Sequence, residues 1–199
     1  MMTQAPHSDR QIAPVRRVPL GDAWQDALRT LLFDATPPRA VMGRTPIKGA
    51  DAGDATGTFI LIEAARRPDI EVVLQGFDVR YVPIYQGASA DTFARYAPYL
   101  AEIRGDSRAA DWLIDESWGQ GWGVWLRSDS TLAGLRKQFR KFTQLYNPDE
   151  DRWYVFRFYA PETVRRVVPL MRPADFADFT QGIDAVVVPG VTSAQALVI

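Results

Sequence analysis

Thr58-Phe59-Ile60-Leu61-Ile62 is the segment from which the fold class of this chain can be predicted. It is an apolar run without the alternation of polar and apolar positions that marks a half-exposed strand. A strand has this composition when both of its faces are covered. The segment therefore predicts a central strand that is buried on both sides.

Helical and strand-like patterns alternate on either side of this segment. The sequence predicts helices over 22–33, 68–76, 107–117 and 131–143, and two more that begin at Pro161 and Pro173. Further strands are predicted over 79–85, 98–103, 121–127, 152–159 and 185–188, with Pro83 favouring an edge position for the first of these. We expect one compact α/β domain, a mixed sheet of about five strands covered by helices.

Two segments lack any such pattern. Residues 1–20 are polar and contain three prolines, which predicts a mobile N-terminal arm before a folded domain over 21–199. Residues 34–57 are rich in Pro, Gly, Ala and Asp, which predicts a long loop within that domain, either a functional loop or a disordered insertion.

The composition argues against several classes of function. The chain has no cysteine, and its single histidine, His7, lies in the predicted arm, so thiol chemistry and histidine-based triads or metal sites have no residues inside the fold. The 23 Lys and Arg residues nearly balance the 24 Asp and Glu residues, for a net charge of −1. We therefore expect no overall electrostatic attraction to nucleic acid or to an anionic membrane. No signal peptide or membrane span is apparent in the sequence, so we expect a cytoplasmic protein.

Two motifs that suggest ligand sites fail in detail. Residues 119–123 are glycine-rich but precede a predicted strand, whereas a nucleotide-binding glycine loop opens a helix. Asn147, Asp149 and Asp151 match the start of a calcium loop, but Arg152 stands where that loop needs glycine. We therefore expect no metal and no cofactor, while the composition leaves carboxylate, lysine, tyrosine or serine–lysine chemistry open.

Two features suggest contact with a partner protein. The predicted helix over 131–143 has a basic arc opposite its apolar stripe, and four of the six tryptophans cluster between residues 112 and 125. A solvated helix face and a buried core, respectively, are the structural alternatives. The candidate partner-binding residues are Trp118, Trp122, Arg136, Lys137, Arg140 and Lys141. Arg157 lies in an apolar predicted strand, which predicts a structural ion pair.

Four segments, in order, resemble the family called domain of unknown function 4123. They are Phe59–Pro68, Tyr96–Leu100, Gly121–Phe142 with its pattern Gly-Trp-Gly-Val-Trp-Leu-Arg-Ser, and Arg157–Pro161. The resemblance runs from about residue 58 to residue 188. Ala160 and Glu162 depart from it, because the family usually has an acidic residue before this proline and often an arginine after it.

The resemblance implies a binding role without catalysis. The family occurs in adaptors, also called effector chaperones, of bacterial type VI secretion; these bind a cognate toxic effector and help load it onto the VgrG spike. Such a role needs an exposed apolar patch rimmed by polar groups, and the predicted loop over 34–57 is another surface for it.

Two other functions stay open from the residues alone. One is an enzyme that uses carboxylates or tyrosines in a pocket among the strand ends. The other is an immunity protein that neutralises a toxin.

Overall fold

The computed structural model describes residues 15–34, 52–86 and 96–199. Most of the predicted arm over 1–20 and of the predicted loop over 34–57 lies outside these ranges. The described parts of both segments differ from the prediction at their ends, because Arg16–Pro19 and Ala52–Glu63 form strands.

Six α-helices and nine strands make up the described residues. The helices are α1 (Trp24–Phe33), α2 (Ile70–Gly76), α3 (Arg108–Ser117), α4 (Leu132–Phe139), α5 (Pro161–Val167) and α6 (Pro173–Phe179), with single 3₁₀ turns at Arg140–Phe142 and Val168–Leu170. The strands are β1 (Arg16–Pro19), β2 (Ala52–Glu63), β3 (Arg80–Pro83), β4 (Pro98–Ile103), β5 (Gly123–Ser130), β6 (Gln144–Asn147), β7 (Arg152–Val155), β8 (Ala185–Pro189) and β9 (Gln195–Val198).

Seven strands form one sheet in the order β1-β9-β8-β5-β2-β4-β3. Each neighbouring pair is antiparallel, so the expectations of a mixed sheet and of about five strands are both corrected. The strands β1 and β9 were missed because four residues are too few for a periodic pattern. Strand direction was missed because an apolar run shows that a strand is buried and not which way its neighbours run.

The predicted burial of the central strand on both faces is confirmed. In β2, Phe59 and Leu61 contribute to one apolar cluster, and Ile60 and Ile62 contribute to another. Helices α4, α5 and α6 contribute buried side chains to the first cluster. Helices α1, α2 and α3 contribute buried side chains to the second. The sheet is thus a middle layer between two layers of helices.

The predicted edge position of the strand with Pro83 is confirmed. Side-chain caps begin two of the helices, since the hydroxyl groups of Ser107 and Thr131 accept hydrogen bonds from the backbone at the starts of α3 and α4, at 3.2 and 3.1 Å. The N-cap residue of α1 is Ala23, which makes no side-chain cap hydrogen bond.

The predicted strand over 152–159 is wrong beyond residue 155. Strand β7 pairs only with β6, in a two-stranded sheet separate from the main one. The chain then turns through residues 156–160, where Phe156 and Phe158 are buried against Phe179 of α6. The prediction rested on alternating residue types over residues 152–159. Such alternation cannot distinguish a long strand from a short hairpin strand that leads into a buried turn.

Within the described ranges, no helix combines the length and the apolar character needed to cross a bilayer.

Candidate functional site

The β6–β7 hairpin exposes apolar side chains on both of its faces. In its register Tyr146 lies opposite Trp153, and Leu145 lies opposite Tyr154. Trp153 is 63% exposed and Val155 is 60% exposed. We call Leu145, Tyr146, Trp153, Tyr154 and Val155 the apolar hairpin. Because monomeric proteins rarely leave such groups together in water, this patch is a candidate interaction surface.

The turn of the hairpin gives the patch an acidic rim. The hydroxyl of Tyr146 donates to Asp151 at 2.6 Å, and that of Tyr154 donates to Glu150. Both hydrogen bonds raise the pKa of the tyrosine that donates them. The rings of Tyr146 and Trp153 also contact each other, with centroids 5.2 Å apart. The patch therefore has defined aromatic positions surrounded by polar groups.

The base of the hairpin is anchored in the core. Phe156 is 5% exposed, and its backbone N–H donates to the carbonyl of Thr143 at 3.1 Å. Its ring packs against Phe158 and Phe179. A two-stranded hairpin is marginal alone in water, so this anchor holds the apolar hairpin against the domain.

The basic arc consists of Arg136, Lys137, Arg140 and Lys141. The structure places it beside the loop that follows β3. Lys137, Arg140 and Lys141 are exposed, whereas Arg136 is half-buried. Arg136 donates to the carbonyl of Tyr85 at 3.3 Å, and burial lowers its pKa. Arg140 contacts the side chain of Gln86. The arc thus presents three exposed cations, and Arg136 joins α4 to the chain after β3.

The two tryptophans predicted to contact a partner lie mainly in the core. Trp118 and Trp122 are each 4% exposed. The guanidinium of Arg67 covers Trp122, with a distance of 5.8 Å to the ring centroid. Trp118 donates through its indole N–H to the carbonyl of Ser193 at 2.8 Å. The tryptophan with a largely exposed side chain is Trp153, at 63%.

A second candidate site is a cleft of about 620 Å³ beside α5. We call it the arginine cleft, because Arg66, Arg157, Arg165 and Arg166 all line it. Its walls come from the turn after β2, the loop before β5, the start of α5 and the turn between β8 and β9. A volume of this size lies in the range of ligand-binding pockets.

Glu63 forms ion pairs with two of these arginines. Its side chain is 3% exposed, and it contacts the guanidinium of Arg157. The Nε atom of Arg66 lies 3.4 Å from the other carboxylate oxygen of Glu63. Buried charges are retained when they are paired, so the ion pair predicted for Arg157 exists and its partner is Glu63.

Tyr159 adjoins this ion pair. Burial is the main cause that raises its pKa, and its hydroxyl lies 3.5 Å from that of Tyr85. The phenol therefore stays protonated beside the Glu63 carboxylate at neutral pH.

The other two cleft arginines are held differently. Arg165 donates to the carbonyls of Gly190 and Pro189 at 2.9 and 3.3 Å. Arg166 lies 3.2 Å from Glu162, one turn earlier on α5, and both side chains are largely exposed. Arg165 is thus fixed by neutral carbonyl groups, and no carboxylate in the described part of the chain forms an ion pair with it.

Sequence reasoning missed the residues of both surfaces except Arg157 and Trp118, which both line the arginine cleft. The adjacent pairs Arg66-Arg67 and Arg165-Arg166 were a visible signal of clustered charge. Aromatic residues on either side of the acidic turn over 147–151 were a signal for an exposed hairpin. Neither signal indicates which residues meet in space.

No three metal-ligating side chains come together among the described residues in a way that could hold an ion. The two candidate sites differ in chemistry, since one is aromatic and the other is cationic.

A protein-family model described as a domain of unknown function (DUF4123) matches residues 58–177. The match includes the apolar hairpin and all four arginines of the cleft. No curated protein and no solved structure matches the chain. Because the family model spans more than half of the 199 residues, this chain belongs to the DUF4123 family.

Proposed function

We propose that this protein is an adaptor of type VI secretion. It binds a cognate effector in the cytoplasm of the producing cell, helps load that effector onto the VgrG spike, and catalyses no reaction. Membership of the DUF4123 family supports the proposal, because the family resemblance described above associates this domain with such adaptors.

The observation that carries the proposal is the exposure of the apolar hairpin. Trp153, Tyr146 and Tyr154 are 63%, 46% and 43% exposed. Tryptophan and tyrosine dominate the binding energy of protein interfaces, because they bury large rigid surfaces at a low entropic cost. A hydrophobic centre with a polar rim is typical of protein interfaces, and the acidic turn of the hairpin supplies polar groups around its aromatic side chains.

Co-purification with the neighbouring gene products tests the proposal. The tagged chain is co-expressed with an effector and a VgrG spike protein encoded beside it, and captured material is analysed by mass spectrometry. We expect the effector to be retained by the wild-type chain. Trp153→Ser should weaken retention by about tenfold or more, since interface hot spots carry about 2 kcal/mol or more each.

Val72→Ser is the matched control. Val72 is 71% exposed on α2, outside the apolar hairpin, so this change also removes an exposed apolar side chain. Effector retention should stay at the wild-type level. Equal loss with both variants would point to unspecific adhesion and would contradict a docking role for the hairpin.

Export distinguishes an adaptor from an immunity protein. An adaptor increases the amount of effector that is secreted, whereas an immunity protein protects a cell that expresses the toxin. Capture of neither effector nor spike by the wild-type chain would overturn the adaptor proposal. Protection from toxicity without any effect on secretion would replace it with the immunity function.

A further inference from the structure

We propose that the arginine cleft binds an acidic segment of a partner protein, in which Asp or Glu carboxylates stand next to apolar side chains. The inference rests on the proposed adaptor function and specifies the chemistry that the partner presents. It concerns a surface separate from the apolar hairpin.

The charge of the cleft is the first argument. Four arginines line it, and among the described lining residues Glu162 is the single acidic side chain. Glu162 is exposed and already pairs with Arg166 at 3.2 Å. Because the whole chain has a net charge of only −1, this is a local concentration of positive charge. An anionic group entering the cleft would gain charge-assisted hydrogen bonds.

The second argument is that the arginines are held in position before a ligand binds. Glu63 contacts Arg157 and lies 3.4 Å from Arg66, yet the side chains of these arginines remain 49% and 57% exposed. A guanidinium has five N–H donors, so each retains donors for another acceptor. Arg165 is oriented by the carbonyls of Pro189 and Gly190. Holding donors in place lowers the entropic cost of binding.

The third argument concerns the apolar part of the cleft. Val167 and Val191 line it and are 39% and 91% exposed, and Pro161 and Trp118 also contribute to its wall. A peptide can place carboxylates on the arginines and apolar side chains on the valines, which an inorganic anion cannot do. Nucleic acid fits less well, because Trp118, the aromatic residue of this lining, is buried and presents no stacking face.

A peptide titration tests the inference on the full chain. The probe is a short fluorescein-labelled peptide of alternating Glu and Val residues, and the reference peptide has Gln in place of each Glu. Fluorescence anisotropy measures binding at about 50 mM and about 300 mM salt. We expect the Glu peptide to bind about tenfold more tightly than the Gln peptide at low salt, and to lose much of that advantage at high salt.

The double variant Arg66→Gln/Arg166→Gln should weaken binding of the Glu peptide by about tenfold or more. Both side chains are largely exposed, so the variant should stay folded, which circular dichroism checks. Arg104→Gln is the matched control, because Arg104 is 80% exposed, pairs with Asp106 and lies outside the cleft lining. Its affinity should equal that of the wild-type chain.

Three results would overturn the inference. The first is equal affinity for the Glu and Gln peptides, and the second is no binding of the Glu peptide. The third is complete displacement of the peptide by inorganic phosphate at an equal concentration, which would assign the cleft to a small anion.

Effector capture separates this inference from the proposed function. If the effector is retained equally by the wild-type chain and by Arg66→Gln/Arg166→Gln, the adaptor function stands and the cleft inference fails. If no effector is captured but the Glu peptide binds as expected, the adaptor function fails and the cleft is still a site for acidic segments.

Discussion

Arg157 and Glu63 lie 94 positions apart in the sequence, and the guanidinium of Arg157 contacts the buried carboxylate of Glu63. Glu63 ends the central strand β2, and Arg157 follows the apolar hairpin. This ion pair therefore connects the end of the central strand to the segment that follows the hairpin. That segment contributes Arg157 to the arginine cleft.

Loss of the Glu63 charge should destabilise the protein. Glu63→Gln keeps the size of the side chain but leaves Arg157 and Arg66 without their shared carboxylate. We expect the free energy of unfolding to fall by about 1–2 kcal/mol, less than for a fully buried pair because both arginines are half-exposed. Urea denaturation measures the change.

The matched control for this change is Glu102→Gln. Glu102 pairs with Arg80 at 2.9 Å on the sheet edge, where both side chains are accessible to water. The free energy of unfolding should change by less than about 0.5 kcal/mol. Equal effects of the two substitutions would show that burial of Glu63 contributes nothing.

Replacement of Arg127 should be more damaging. This residue is 2% exposed in β5 and donates to the carbonyls of Asp34 and Leu31 at 2.7 and 3.3 Å. Burial lowers the pKa of Arg127, and the nearby Asp184 carboxylate opposes that effect. Arg127→Met leaves both carbonyls without this donor, so we expect a loss of about 2–4 kcal/mol in a denaturation experiment.

Arg108→Met serves as the comparison for Arg127. Arg108 is exposed at the start of α3, and surface substitutions usually change stability by less than about 0.5 kcal/mol. A similar midpoint for both variants would refute the structural role of Arg127.

A methyl group added at position 123 should lower the free energy of unfolding. A Cβ atom at Gly123 would lie 2.9 Å from Cδ1 of Ile60 and 3.0 Å from Cβ of Ser117. Gly123→Ala therefore forces β5 away from α3 and should cost about 1–3 kcal/mol by overpacking. Thermal unfolding followed by circular dichroism measures this loss.

Gly76→Ala provides the control for position 123. Apart from the chain neighbours and the backbone of its own helix, no atom of the described residues lies within 4 Å of a Cβ at Gly76, and alanine favours a helix over glycine. The stability of this variant should be unchanged or slightly higher. A destabilisation as large as that of Gly123→Ala would mean that the steric explanation is wrong.

Ionisation of Tyr99 should make the protein less stable at alkaline pH. Burial, aided by a 3.1 Å hydrogen bond to Glu71, raises the pKa of Tyr99 to about 12 from its ordinary 10.0. Between these values the unfolded chain releases a proton that the folded chain retains. This contribution to stability is therefore complete below pH 10 and is lost as the pH rises toward 12.

Tyr99→Phe should reduce this alkaline loss. Denaturation midpoints measured between about pH 9 and about pH 11 should fall less steeply for the variant than for the wild-type chain. Tyr96→Phe, at a 60% exposed tyrosine, should retain the wild-type slope. An identical slope for all three proteins would exclude Tyr99 as the cause.

Much of the fold was predictable because local patterns encode burial. Phe59, Leu61, Ile60 and Ile62 show both sheet faces to be covered without any knowledge of what covers them. Ser107 was predictable as a helix cap because its side chain bonds to the backbone of its own first turn. These interactions span few positions, so the sequence alone displays them.

The candidate sites were less predictable because their residues come together only in the folded chain. The sequence showed that Arg157 needs a partner but not that Glu63 provides it. Trp122 and Trp153 carry the same side chain, yet one is 4% exposed and the other 63%. Exposure depends on what packs above a residue, and no local pattern specifies that.

Periodicity and composition are local properties, so they were enough to predict the helices, the doubly buried central strand and the lack of cysteine and of any histidine beyond position 7. The folded chain was needed to establish the antiparallel strand order, the exposure of the β6–β7 hairpin and the meeting of Arg66, Arg157 and Arg165 in one cleft. These features depend on contacts between distant segments, whose geometry is set when the two helical layers pack onto the sheet.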